Sequence, residues 1–273
     1  MNFGKAKKIL IFLFLFINIF LIVQLVMQSD RYTLEEKAIK NTVQIANKNG
    51  VSFSEEIIPT SYKKIEYLNL YNPLTDKQSF SKQFKNASYN KDGTFSLSVS
   101  YALANEEAKT VLSTLNDNGF ESYSLTYLNY IKNPVTNEKM FIFSQSYNSL
   151  HIKGAEIRVF VNDKKISKIT GNLYTIKEKN ETETELLSPL QFIITFSELV
   201  HQNKKNVKLT KIEQGYYIPE KAKNYKDITA SPCFVLTVNE NKFYYDAYQN
   251  TFVCMITKDG VQIDDQIKAF QLL

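Results

Sequence analysis

The side chains best suited to chemistry are few. The chain carries only two histidines, His151 and His201, and two cysteines, Cys233 and Cys254. A histidine titrates near neutral pH and can act as general base or metal ligand, and a thiolate can attack a carbonyl or bind a soft metal. Neither histidine belongs to an H-E-x-x-H pair, and neither has a His or Cys at ligand spacing, so no metal site is expected. Ser61-Tyr62-Lys63-Lys64 and Ser79-Phe80-Ser81-Lys82 match the S-x-x-K of serine acyl enzymes, but the S-D-N and K-T-G elements that complete such a site do not occur. There is no G-x-S-x-G elbow, and eight scattered glycines build no phosphate loop. The acidic pairs Glu106-Glu107 and Asp264-Asp265 are adjacent in sequence, point apart on any regular element and read as solvated surface. No catalytic residue and no cofactor are therefore expected.

The elements that would have to position a site begin with an apolar run. Ile9 to Met27 holds 19 residues with no charge and only two polar side chains, Asn18 and Gln24. As a helix it spans roughly 28 Å, close to the hydrocarbon thickness of a bilayer. Lys5, Lys7 and Lys8 precede it, which keeps the N-terminus cytoplasmic and exports the rest. A cleavable signal peptide is the competing reading, but its apolar core is shorter and Val26-Met27-Gln28-Ser29 offers no small-residue cleavage site. The expected organisation is a cytoplasmic tail over 1–8, a transmembrane helix over 9–28, and extracytoplasmic units over 29–148 and 149–273.

Of the 33 basic and 28 acidic residues, three lysines and no acid precede Asp30, so the exported body is close to neutral. That balance gives no footprint for nucleic acid. In the body, Thr33 to Glu36 fits a capping box opening a helix to about Asn47, with Gly50 as its C-terminal cap. Ile65 to Tyr71 reads as a strand, Asn72 to Asn90 as a long polar segment, and Thr94 to Tyr101 as an alternating strand. Asn105 opens a helix that Gly119 closes, and strands follow over Tyr123–Ile131 and Lys139–Tyr147. Further strands are expected at 155–161, 165–176 and 208–218. Ser188-Pro189 opens a helix to about Gln202, and a meander runs through 234–238, 243–247 and 251–257. The fold expected is α+β: two related units with antiparallel sheets, each covered by a helix. Cys233 and Cys254 fall on strands with another strand between them, beyond disulfide reach across a flat sheet.

With so little chemistry in the body, the membrane run gains weight. Ile11, Phe14, Asn18, Leu21 and Leu25 follow a 3-4-3-4 spacing and share one helical seam. An amide at mid-bilayer can hydrogen-bond a neighbouring helix, worth about 0.5–2 kcal/mol.

Several stretches resemble the YycI (WalI) family. They are Lys5-Ala6-Lys7-Lys8 leading through Phe16-Ile17-Asn18-Ile19-Phe20-Leu21, then Ser146-Tyr147 with Ile157 to Asn162. Ile212-Glu213-Gln214-Gly215-Tyr216-Tyr217 follows, and Phe234 to Val238 after Ala230-Ser231-Pro232. Relatives commonly carry a Trp soon after that proline, where this chain has Cys233-Phe234. The resemblance implies a non-enzymatic, single-pass regulator with an α+β extracytoplasmic body. It implies a YycH-like membrane partner and a target, a WalK (YycG)-like sensor histidine kinase that governs cell-wall homeostasis. Contact would run through membrane helices, with Asn18 as the polar contact and Phe14, Leu21 and Leu25 as packing flanks. The other readings of the chain are an exported cell-wall-processing enzyme and a sensor for an envelope ligand.

Overall fold

The computed structural model describes residues 13–14, 16–21, 24, 36–59, 62, 64–90, 93–132, 138–180 and 186–273. The architecture is mixed α+β, mostly antiparallel sheet with few helices. The described residues of the N-terminal run are helical, and among the described residues no helix is long and apolar enough to cross a membrane. Thr33, Ile11 and Leu25 lie outside the described residues.

One succession of elements occurs twice. Helix α3 (Ala108–Leu115) is followed by the antiparallel meander β5 (Leu125–Lys132), β6 (Lys139–Tyr147), β7 (Leu150–Asn162) and β8 (Lys165–Gly171). Helix α4 (Pro189–Gln202) is followed by β10 (Val207–Tyr217), β11 (Asp227–Val238), β12 (Asn241–Asp246) and β13 (Phe252–Ile256). In each meander alternate residues point to the helix side, which is why the strands read as apolar–polar alternation. Val111 and Leu115 of α3 pack on Phe141, Phe143, Ile157 and Val159. Phe192, Phe196 and Val200 of α4 pack on Phe234, Leu236 and Phe243. Ser188 opens α4 by accepting a hydrogen bond from the Leu190 amide, with Pro189 in the first turn.

The division expected between 148 and 149 falls inside the first meander. Asn148 and Ser149, both with positive φ (50° and 69°), form the tight turn that joins β6 to β7. Such a turn matches the twist of paired strands and makes a hairpin, not a linker.

Other elements extend the two sheets. β3 (Ala87–Tyr89) and β4 (Phe95–Ala102) join the first through β8, and β14 (Gln262–Ile263) joins the second through β13. β2 (Tyr67–Tyr71) lies between β9 (Thr175–Asn180) and the start of β11, so β11 serves two sheets. The helix over 36–48 (α1) and β1 (Val51–Ser52) pack on the second sheet, where Ala46 and Val51 are buried and Val51 pairs in parallel with Val207 of β10. C-terminal α5 (Gln266–Gln271), which carries no strong periodic signal, adds Phe270 to that core.

The segment from Asn72 to Asn90, read from sequence as a long polar loop, is a corrected expectation. Asn72 caps a single 3-10 turn, α2 (Lys77–Gln83) comes next, and then β3. Phe80 and Phe84, four residues apart, give this polar stretch the apolar face that places it on the first core. The strand expected over 165–176 is broken as well. Gly171 turns the chain with φ +145°, and the next strand, β9, belongs to a different sheet.

Candidate functional site

The structure brings together a polar cluster that no local motif announces. β7 pairs with β6 on one edge, while its other edge meets β10 over only Tyr216↔Ile152 and Tyr217↔Lys153 before β8 takes over. This short parallel contact is where the two meanders meet. The faces turned away from the helices form a cleft there, lined by His151, Lys153 and Glu156 of β7, Glu213 of β10, and Lys242 and Tyr244 of β12. Gly215 closes its floor, and a Cβ at that position would stand 3.1 Å from the His151 carbonyl oxygen.

The cleft is small and charged. It holds about 50 Å³ of free space, enough for a few water molecules and no substrate. Lys153 Nζ donates to Glu156 at 3.1 Å, and Lys211 pairs with Glu213 at 2.7 Å on the strand beside it. His151 Nδ1 is buried and has no hydrogen-bond partner. Burial depresses the His151 imidazole below its ordinary value; Glu213 and Glu156 work against that, and Lys242 and Lys211 with it. Burial likewise raises the Tyr244 hydroxyl well above its ordinary range, with Glu156 adding to the effect. Sequence alone places His151 between strands, but it lies within β7 and faces Ser146 across the hairpin. The spacing His151-x-Lys153, once read as strand, puts both on one face; the approach of Glu213 and Lys242 needs the tertiary register.

Lys153 also borders a second, wider groove of about 330 Å³ on the outer side of the seam, with Gly154, Tyr217, Lys223, Cys254 and Asp264 around it. Cys233 and Cys254 are both buried and free, on β11 and β13, and β12 separates them. Burial, the Asp264 charge and other carboxylates push the Cys254 thiol up to about 12, with Lys153 opposing them, and burial raises Cys233 well above the usual thiol range. Both thiols are thus protonated and unreactive at neutral pH. His201 sits exposed in the last turn of α4 and takes no part in the cleft. Among the described residues, no group of His, Cys, Asp and Glu could hold a metal ion.

Asp246 ties the seam to the second meander. Its carboxylate accepts hydrogen bonds from the Tyr217 hydroxyl at 3.0 Å and from the Tyr248 and Gln249 amides at 2.9 Å. An Asp246→Ala chain removes the acceptor of three partly buried donors and should lose about 2 kcal/mol, read as a lower urea midpoint of the full chain in detergent.

Of the seam expected over Ile11 to Leu25, Phe14, Asn18 and Leu21 are described and helical. Phe14 is 69% and Leu21 51% exposed, and the Asn18 amide nitrogen donates to the Phe14 carbonyl at 2.9 Å, one turn back. That bond uses one of the two amide hydrogens. Leu13, Phe16, Ile17, Ile19 and Phe20 are exposed as well. Among the described residues this segment thus carries a row of exposed large apolar side chains.

No protein-family model matches the chain, and neither does any curated protein. Among solved structures it is similar to an uncharacterized protein from Eubacterium rectale ATCC 33656, with a TM-score of 0.45 and 9% identity over 78% of this chain and 97% of that one. It is also similar to the C-terminal domain of YpeB from Bacillus megaterium, with a TM-score of 0.35 and 12% identity over 70% of this chain and 97% of the other.

Proposed function

We propose that the chain is a membrane-anchored, non-enzymatic regulator of the YycI kind. Its N-terminal helix spans the cell membrane with the basic end in the cytoplasm, and its body stands on the outer side as two related units, each a helix and a four-stranded meander. It works with a YycH-like partner on a WalK (YycG)-like sensor histidine kinase, through helix contacts in the bilayer centred on Asn18. The observation that carries this reading is the N-terminal helical segment, whose large apolar side chains are exposed, following Lys5, Lys7 and Lys8 in sequence. The small, charged character of the seam cleft agrees with a body that acts by contact.

The test is to replace residues 9–27 with an unrelated apolar helix of equal length. The chain should still reach the membrane, and kinase output should lose its dependence on it. An Asn18→Leu chain should weaken the effect in part, in line with the roughly 0.5–2 kcal/mol of one interhelical hydrogen bond. Regulation that persists unchanged in the swapped chain removes this reading. The outer groove favours an envelope-ligand sensor as the second reading, since its volume is within the range of small-molecule sites. Regulation that follows the body and ignores the helix would select it.

A further inference from the structure

We propose that His151 is a pH-responsive latch on the seam between the two meanders: neutral, it lets the cleft stay closed, and protonated, it opens the β7–β10 contact. The idea rests on the cleft itself and stands apart from the regulatory reading above.

Three features of the geometry converge on this residue. First, its Nδ1 is buried without a partner, so the ring is held in a place that offers that nitrogen neither donor nor acceptor. A neutral imidazole can tolerate one poorly answered nitrogen, but an imidazolium has two N–H groups and a charge to satisfy. Second, the surroundings are divided. On its own strand stand Lys153 and Glu156, already paired; on β10 stand Lys211 and Glu213, also paired; on β12 stand Lys242 and Tyr244. Every carboxylate near the ring is engaged by a lysine. A proton on His151 meets attraction from Glu213 and Glu156 and repulsion from Lys242 and Lys211, so burial decides against it unless Glu213 leaves Lys211 to bond the ring or water enters. Third, the free space is about 50 Å³, room for a few waters only, so swinging Glu213 inward onto the ring as well requires the walls to part.

The backbone pairing that resists parting is short, and beside it Ile152 and Ala155 of β7 share a small buried core with Tyr216 of β10 and Ile218 just beyond it. β7 and β10 are paired over two positions, supplemented by the Ile218 amide donating to the Lys153 carbonyl at 2.9 Å. His151 is the residue immediately before the first of these pairs. β7 belongs to the first meander and β10 to the second, so widening here loosens one meander against the other while each keeps its own hydrogen bonds.

The sign comes from the burial that depresses the imidazole. The closed form binds the proton less readily than an open one, whose histidine titrates near the ordinary value of about 6.5. Closure is thus fully favoured above that value and is lost as the pH falls through it toward the lower value of the closed state.

The experiment is backbone hydrogen exchange on the full chain in detergent micelles, followed between pH 7.5 and 5 and corrected for intrinsic rates. Protection at Lys153, Tyr216 and Ile218 should fall at least several-fold, while protection in the middle of β11 and β12 holds. A His151→Gln chain, neutral throughout, should show no such step, and a His201→Gln chain should keep it. A wild-type profile that is flat across the range overturns the proposal, and so does an unchanged step in His151→Gln. If His151→Gln has no cooperative melt, the ring is titrated by NMR in the wild-type chain: a midpoint below the ordinary value supports the latch, and one at or above it overturns it.

Discussion

Gly171→Ala should be among the most damaging single substitutions in the body, lowering stability by about 3–5 kcal/mol. Gly171 ends β8, where it pairs with Phe95 on one side and Ile157 on the other. Its φ of +145° lies in territory that an L side chain avoids, and a Cβ would overlap the Glu156 carbonyl oxygen and stand 2.8 Å from Ile157 Cα. Neither obstacle is the movable end of a side chain; both are backbone of β7. The strain cannot relax without breaking the Asn172 amide bond to the Glu156 carbonyl, which starts the turn toward β9. Behind that turn, Gln145 forms two hydrogen bonds with the Tyr174 backbone, so the disturbance reaches β6 as well. Urea unfolding of the full chain in detergent would measure the loss. Gly260→Ala is the control. There φ is +82° but nothing lies within 4 Å of the added carbon, so only local backbone strain of about 1 kcal/mol is expected.

Phe243→Ala should cost about 3–5 kcal/mol and lower the melting temperature by about 10 °C. Phe243 is fully buried and central to an aromatic group that holds three elements on the second meander. Its ring centroid lies 5.1 Å from Phe196 of α4 and 5.3 Å from Phe270 of α5, and Phe196 and Phe270 stand 5.3 Å from each other. Truncation leaves a hole walled by helix and strand residues that are themselves anchored, so the site collapses poorly. The loss should fall first on α5, a six-residue helix whose main apolar contact is Phe270. Ile267→Ala on the same helix, at a side chain 69% exposed, should change the melting temperature by little. Calorimetry on both chains would separate the two effects.

Much of the body was legible because one face of each meander is covered and the other is not, which prints the period of two into β4, β6, β10 and β12. The start of α4 was legible because Ser188-Pro189 carries its own capping chemistry. α2 was hidden because two phenylalanines in a polar background give too short a pattern to separate a helix from a loop. The break at Gly171 was hidden because apolar alternation continues through it, and only the backbone angle sends the chain to another sheet. The cleft was hidden for a different reason. His151, Glu213 and Lys242 are each ordinary in their own segments, and they meet only through the parallel contact between β7 and β10. A two-position pairing between strands more than sixty residues apart leaves no trace in local composition. The seam expected in the N-terminal run is the opposite case. Its apolar run and 3-4-3-4 spacing are entirely in the sequence, and Asn18 is on the same helical segment as Phe14 and Leu21.

The placement of α1 and β1 has a mechanical consequence. Both come early in the chain, yet both are fastened to the later meander. Ala46 is buried against it, Asn49 donates to Ser197 of α4 at 3.1 Å, and the Val207 amide of β10 donates to the Gly50 carbonyl at 2.9 Å. A pull on the N-terminal end therefore travels through α1 and β1 straight into α4 and β10, and the meander of β5 to β8 lies outside the path of the load. Tension would be carried by the C-terminal half of the chain, while the other half rides along as an unloaded arm, free to be held by something else.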